Sequence, residues 1–321
     1  RHQSSCMELT VWPGRWDSAS MDPDCLASLA YVRFSGAPVQ IRLHNRPALV
    51  TSVTTSPRRL SELPRLRHAG NSINGGFNLE HLFAYLRKEN YGVEYDFSED
   101  QLVRMTALMR STRARLAPAV AQLLWLEASV YTRVTRPAFA EAVGLPASLV
   151  YPVYRHHATR NRLLASFGYD LARVSEDALL QQVTANGVDC IDQLSQVLDQ
   201  ARFFVSESGP CCLDAMVFGY LWPLLKAPLT QSNLSSGEVP ALLRKLRQHR
   251  NLIEFCQRIQ RVYFPELSSA VGSASAAGGD DASLKSGSDG AVLRNAGLFL
   301  VITSAVFGLY AWQSGWIVVQ P

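Results

Sequence analysis

The chain opens with period-two alternation. Glu8-Leu-Thr-Val-Trp12 puts apolar side chains on one face and polar ones on the other, the pattern of a half-buried strand. After the turn Trp12-Pro-Gly-Arg-Trp16, Asp22-Pro23 begins a helix, with Asp at the N-cap and Pro at the first helical position. Its apolar residues Cys25, Leu26, Leu29, Ala30, Val32 and Phe34 run to a stop at Gly36. Val39-Gln-Ile-Arg-Leu43 alternates again, so strand, helix and strand succeed one another as a βαβ unit. Beyond an irregular stretch over 45–61, Glu62-Leu-Pro-Arg-Leu-Arg-His68 enters a third strand, with Pro64 expected cis where the chain bends into the sheet. His68-Ala-Gly-Asn71 is a hairpin turn, Ser72-Ile73 the last strand, and Asn78 through Leu86 a helix. This order, β-α-β then β-β-α, predicts a thioredoxin-like domain over residues 7–92.

From Ser98 the period lengthens to that of helices. Ser98-Glu-Asp-Gln101 fits a capping box, and the helix continues through Leu102, Met105, Leu108 and Met109. Pro118 is expected to kink or split it ahead of a second apolar run, Val120 to Trp125. Prolines break residues 136–152, a helix spans Val153–Phe167, and Ser175 caps the next, which carries Ala178, Leu179, Val183, Cys190, Ile191, Leu194 and Leu198. The most apolar stretch within this half is 203–225. From Leu213, one helix face carries Met216, Val217, Tyr220, Leu221 and Leu224; the other carries Ala215, Phe218 and Trp222, with Gly219 permitting close approach. A helix apolar all round is buried or spans a membrane. This one is too short to cross a bilayer and is bracketed by Asp214 and Lys226, so it reads as buried. Gly209-Pro210 breaks the chain before it, and Asp214, three residues after Cys211, can reach free amides of the first turn. Helices over Pro240–His249 and Asn251–Phe264 complete an all-helical domain, residues 98–265.

The C-terminal part changes the picture. Residues 266–294 are rich in Ser, Ala and Gly and cannot bury enough apolar surface to order themselves. As a flexible linker they would span roughly 25–30 Å. Asn295 to Pro321 then contains no charged residue. Ala296–Val319 as a helix measures about 36 Å at 1.5 Å per residue, enough to cross about 30 Å of hydrocarbon with some tilt. Arg294 would anchor the near side, and Tyr310, Trp312 and Trp316 the far interface. Residues 295–319 are therefore expected to be a tail anchor in membrane lipid, with the body on the cytosolic side. No basic residue follows the span in Val319-Gln-Pro321, so the tail by itself leaves the endoplasmic reticulum open as a destination. Residues 1–6, ahead of Met7, carry no apolar run, so no secretory signal is read there.

Composition narrows the function classes. A chain of 321 residues accommodates two domains with full cores, and 47% hydrophobic against 18% charged residues points to a globular protein with one very apolar segment. A net charge of +4 is too small to argue for nucleic acid. Arg58, Arg59, Arg65 and Arg67, and Arg104, Arg110, Arg113 and Arg115, read as solvated faces, with acidic lipid or a protein partner the alternative. The six cysteines show no paired spacing and no CxxC, so zinc and thioredoxin chemistry have no support, and reduced core thiols are expected. His156-His157 are adjacent and point about 100° apart on a helix, which prevents them from sharing a tetrahedral metal site. Gly75-Gly76 lacks the pattern of a phosphate loop. No metal and no cofactor are expected.

The core-helix string resembles that of glutathione-transferase-like proteins, in which Pro, Ser or Thr, two residues and Asp form a capping box; here Pro210 and Asp214 match, and Cys211 replaces the hydroxyl residue. A longer resemblance covers nearly the whole chain outside the linker. Glu8-Leu-Thr-Val-Trp12, Trp16-Asp17, Asp22 to Tyr31, Arg33-Phe-Ser-Gly-Ala-Pro38 and Leu86-Arg-Lys-Glu-Asn-Tyr91 are similar to the front half of metaxins. Trp125, Val134 to Ala140, Phe203-Phe204, Leu213-Asp-Ala215, Phe218 to Leu221 and Tyr263-Phe-Pro265 continue it, and the hydrophobic tail resembles the tailed members of that family. The resemblance implies a glutathione-transferase-like fold of class α+β/α, with a thioredoxin-like N-terminal domain, an all-helical C-terminal domain and a C-terminal transmembrane helix. It also implies a place on the mitochondrial outer membrane. The partners implied are a second metaxin, a β-barrel insertase and β-barrel precursor proteins, in a non-enzymatic import role. The competing reading is a membrane-anchored glutathione-transferase-like enzyme or a related mitochondrial-dynamics factor. It would need a hydroxyl or thiol after the first strand, for which Ser18, Ser20 and Cys25 are the candidates. It would also need an acidic-Ser pair where this chain reads Gly75-Gly-Phe-Asn78.

Overall fold

The computed structural model describes residues 6–44, 63–75, 79–144, 147–166, 175–229 and 239–267. Strand β1 (Met7–Val11) leads through helix α1 (Pro23–Ser35) to β2 (Val39–Leu43), which pairs with β1 in parallel, Leu9 opposite Ile41. A parallel pair needs such a crossover. On its other side β1 pairs antiparallel with β3 (Arg65–His68), and β3 with β4 (Asn71–Asn74), giving the order β2-β1-β3-β4. Ala69 (φ 49°) and Gly70 (φ 80°) both take left-handed conformations, as a two-residue hairpin of the right twist requires. The Leu63–Pro64 bond is cis, and the Pro64 carbonyl accepts the Gly75 N–H at 2.6 Å. Met7, Leu9, Val11 and Leu66 are buried in one core with α1 and with Leu79, Leu82, Phe83 and Leu86 of α2 (Leu79–Lys88).

The helical half begins at α3 (Glu99–Trp125), where Ser98 accepts the Gln101 N–H and the Gln101 side chain accepts the Ser98 N–H. A short turn (Ala128–Val130) and a π-helical turn (Tyr131–Thr135) run into α4 (Arg136–Val143). There follow α5 (Ala147–Ser166), α6 (Glu176–Leu198), α7 (Cys212–Lys226), α8 (Ala241–Gln248) and α9 (Arg250–Tyr263). Helix α7 is the axis of the molecule: every residue from Cys212 to Leu224 is buried, with α1 against it on one side and α3 on another.

Two expectations are corrected. Pro118 neither ends nor splits α3. It forfeits one backbone hydrogen bond, to Ala114, and Ala114 is exposed, so its carbonyl meets water. Leu116, Ala119 and Val120 meanwhile stay buried, and α3 packs along α6. Likewise α5 runs through Pro152, beginning at Ala147 instead of Val153, with Tyr151 and Pro152 buried.

Among the described residues no helix is long and apolar enough to cross a membrane. The expected anchor over 295–319, with Arg294, Ala296, Tyr310, Trp312 and Trp316, lies outside the described residues, as does the linker from residue 268. Glu266 pairs with Arg33 at the end of α1, and Arg33 also donates to the Tyr263 carbonyl.

Candidate functional site

The seam between the two halves is built around the start of α1. Past Val11 the chain doubles back: the Ser18 N–H donates to the Arg15 carbonyl (3.1 Å) and the Met21 N–H to that of Pro13 (3.0 Å). Trp16 and Asp17 take positive φ inside this turn, which packs too tightly for a side chain at Gly14. Asp22 then caps α1, its Oδ1 accepting the Cys25 N–H at 3.0 Å. Burial raises the Asp22 carboxyl, and the Arg155 guanidinium on α5, 3.9 Å away, acts against that rise.

Two residues on, Asp24 Oδ1 accepts from Arg113 of α3 at 3.0 Å and from the Tyr220 hydroxyl of α7 at 2.9 Å. Asp24 and Tyr220 hold the Arg113 guanidinium firmly protonated, while burial and then Arg113 itself lower the Arg162 guanidinium nearby. The outcome is a junction of two α1 carboxylates with arginines from α3 and α5. Arg113, read from the sequence as part of a solvated face, is instead half-buried in it and paired with Asp24. Of the other arginines, Arg67, Arg104 and Arg110 are exposed, Arg65 bonds Asn74, Arg115 bonds Gln193, and Arg58 and Arg59 lie outside the described residues.

Beside the junction, at the carboxyl ends of β1 and β2, lies an open groove of about 590 Å³ lined by Pro13, Arg15, Met21, His44, Ala138 and Glu141 among others. Arg15 and Glu141 pair across its rim at 2.5 Å. His44 joins it to a buried aromatic cluster: Trp12, 1% exposed, packs against His44, Phe139 and Tyr151 at centroid distances of 5.1, 5.1 and 5.2 Å. Trp16 is only half-buried. Burial, and then Arg65, depress the His44 imidazole.

The side chains that a transferase would recruit are occupied internally. Ser18 Oγ donates to the Ser20 carbonyl at 2.8 Å, and Ser20 Oγ accepts the Asp22 N–H. Cys25 is fully buried, and desolvation followed by Asp22 pushes its thiol well above the ordinary range, away from thiolate chemistry. Of the stretch 75–78 only Gly75 is described, packed on Pro64. His156 bonds the Trp125 carbonyl at 2.7 Å and packs at a tilt against Tyr131, whereas His157 is exposed. Among the described residues no cluster of three His, Cys, Asp or Glu side chains is placed to hold a metal.

Pro210 and Asp214 lie away from the groove, at the buried head of α7. Asp214 accepts the Cys211 and Phe204 N–H groups at 2.9 and 3.1 Å, and the Cys211 thiol donates to it at 3.0 Å. The thiol thus serves as a donor to the carboxylate where a hydroxyl would accept from the backbone. Burial pushes the Asp214 carboxyl up to about 6. Glu94, which no local pattern singled out, binds the Cys212 N–H (2.9 Å) and the Tyr31 hydroxyl (3.0 Å), tying the connection between the halves to both of them.

Comparison with known proteins agrees with this architecture. The Tom37 family model, described as "Outer mitochondrial membrane transport complex protein", matches residues 25–156, and the "Glutathione S-transferase, C-terminal domain" model matches residues 187–259. Solved glutathione transferases align loosely; that of Populus trichocarpa named F7 gives a TM-score of 0.49 at 9% identity, covering 82% of this chain and 98% of its own. Metaxin-1 of Bos taurus is 34% identical over 262 residues, 81% of this chain and 75% of its own. The human metaxin-1 is 33% identical over 81% of this chain and 51% of its own, and metaxin-3 of Xenopus laevis 32% identical over 80% and 77%. With relatives a third identical across four-fifths of its length, the chain belongs to the metaxin family.

Proposed function

We propose that this chain is a non-enzymatic receptor or scaffold subunit of the mitochondrial outer-membrane sorting and assembly machinery, assisting the import and assembly of β-barrel proteins. The observation that carries the reading is the family itself: metaxin relatives along four-fifths of the chain, and a match to the outer-membrane transport complex model across α1 to α5. The seam geometry supports it. The Ser18 and Ser20 hydroxyls are committed to the β1–α1 turn and the Cys25 thiol is wholly buried behind the α1 cap, which makes them framework instead of reagents.

In this reading the two domains, 7–92 and 98–265, form one binding body on the cytosolic face. Residues 266–294 tether it, and 295–319 hold it in outer-membrane lipid as a single-pass tail anchor. A second metaxin and the β-barrel insertase are its partners, and β-barrel precursors its clients.

The test is affinity purification of the tagged chain from outer membranes in mild detergent, with and without residues 295–321. Recovery of a second metaxin together with a barrel insertase supports the proposal; retention after truncation assigns the contact to the body, and loss assigns it to the tail. Recovery of neither, with retention on glutathione resin and measurable conjugating activity, overturns it in favour of a membrane-anchored transferase.

A further inference from the structure

Strand β2 is the outermost strand of the sheet, and among the described residues nothing pairs with its outer side. Its register with β1 shows what that side offers. Ile41 and Leu43 stand opposite Leu9 and Val11, so they belong to the sheet's apolar face. Leu9 and Val11 are wholly buried, yet Ile41 is 41% and Leu43 46% exposed. The apolar face therefore continues past its cover to the edge. Gln40 and Arg42 lie on the opposite face, where Arg42 reaches back to Glu8 at 3.0 Å and remains 62% exposed. Arg65 and Arg67 of β3 share that face by register, making it basic: three arginines against one glutamate.

The backbone follows the same alternation. The His44 N–H donates to the Val11 carbonyl at 2.7 Å. In a parallel pair, residues take turns in directing both backbone groups at the neighbour, so His44, Arg42 and Gln40 face β1, while Ile41 and Leu43 direct theirs outward. Edge strands are normally blunted by proline, bulges, inward charges or extreme shortness. Val39-Gln-Ile-Arg-Leu43 has five residues, no proline, and a single charge that points away from the apolar side.

We propose that the β2 edge captures an extended segment of an unfolded β-barrel precursor by strand addition, an inference that rests on the import role proposed above. The complementarity is threefold. Outward backbone groups of Ile41 and Leu43 supply hydrogen bonds for an added strand. Their side chains extend under its apolar positions. Arg42, on the opposite face of the edge strand, matches acidic or neutral polar residues on its other side. A membrane barrel strand alternates apolar and polar residues in this way over about ten residues, and before insertion it has no strand partner of its own. A helical or randomly ordered apolar peptide would satisfy one of these conditions at most.

The test uses the full-length chain in detergent micelles and a labelled, soluble peptide of about ten residues that alternates Val, Ile or Leu with Asp, Ser or Thr. The control peptide has the same composition in shuffled order. Anisotropy should show at least about tenfold tighter binding of the alternating peptide, because the shuffled order sets polar side chains against Ile41 and Leu43. Ile41→Pro removes an outward N–H while leaving the groups that face β1, and should weaken binding about tenfold. Ile41→Lys, a change at an exposed side chain that the fold tolerates, should do the same. Amide exchange at Ile41 and Leu43 should be fast in the free chain and slow with peptide bound.

Equal affinity for both peptides, binding unaffected by either variant, or slow exchange of these amides in the free chain would each overturn the proposal. The two readings fail separately. A chain that recovers its membrane partners but binds neither peptide loses strand capture and keeps the import role. A chain that binds the alternating peptide through Ile41 but recovers no partners keeps strand capture and loses the import assignment.

Discussion

A methyl group at position 219 sets helix propensity against packing, and the two have opposite signs. Gly219 lies in the middle of α7, where replacement of glycine by alanine ordinarily stabilises a helix by about 1 kcal/mol. Here a β-carbon would stand 2.6 Å from Ala27 Cβ, 2.7 Å from the Ala27 nitrogen and 2.7 Å from the Pro23 carbonyl oxygen, all on α1. Two of these are backbone atoms in the first turns of a helix, so no side-chain rotation relieves the contact. Helices α1 and α7 must separate by most of an ångström, which opens an interface buried on both sides. Overpacking costs about 1–3 kcal/mol, and a backbone clash belongs at the upper end. Net of the propensity gain, Gly219→Ala should destabilise by about 2 kcal/mol, a fall in Tm of about 4–8 °C for a body of this size. Thermal unfolding of the full-length chain, followed by circular dichroism in one detergent, measures it. An unchanged or raised Tm would mean that α1 and α7 do not meet as closely as described, and the account of the seam would fall with it.

Three further outcomes follow from the same geometry. Arg113→Leu should cost about 2 kcal/mol by taking from the half-buried Asp24 its cationic partner, and the double variant with Asp24→Asn should recover part of that loss; strictly additive single effects in urea melts would show that the pair is uncoupled. Asp214, raised by burial to about 6 from about 3.9 in the unfolded chain, favours folding in its protonated form, so its contribution is complete below about pH 4 and is lost as the pH rises through 6. Wild type should therefore lose about 2 kcal/mol relative to Asp214→Asn between pH 4 and pH 7, and a gap that does not change with pH would contradict this. Brief iodoacetamide treatment of the native chain should modify Cys6, the exposed thiol, and spare Cys25, Cys190, Cys211, Cys212 and Cys256, all buried; mass spectrometry showing early labelling of Cys25 would reopen the transferase reading.

What the sequence by itself determined is what neighbours within a helical turn or a strand decide. Asp22, Pro23 and Gly36 delimit α1 because cap, first-turn proline and left-handed glycine act locally, and the structure has them at those places. The Ser98 box starts α3 for the same reason, alternation marks β2, and apolarity on all sides of residues 213–224 can be satisfied only by burial. Tertiary structure alone decided the rest. Asp24 meets Arg113 and Tyr220 across 89 and 196 residues, and Glu94 meets the Cys212 N–H across 118, so no window of the sequence contains both partners. The prolines show the same division. Pro118 and Pro152 are helix breakers by local chemistry, yet each costs one hydrogen bond, and the buried faces of α3 and α5 outweigh it once the helices are packed. Whether Ile41 and Leu43 are core or edge was equally beyond the pattern: alternation puts them on the apolar face, and only the strand order shows that the cover ends before it reaches them.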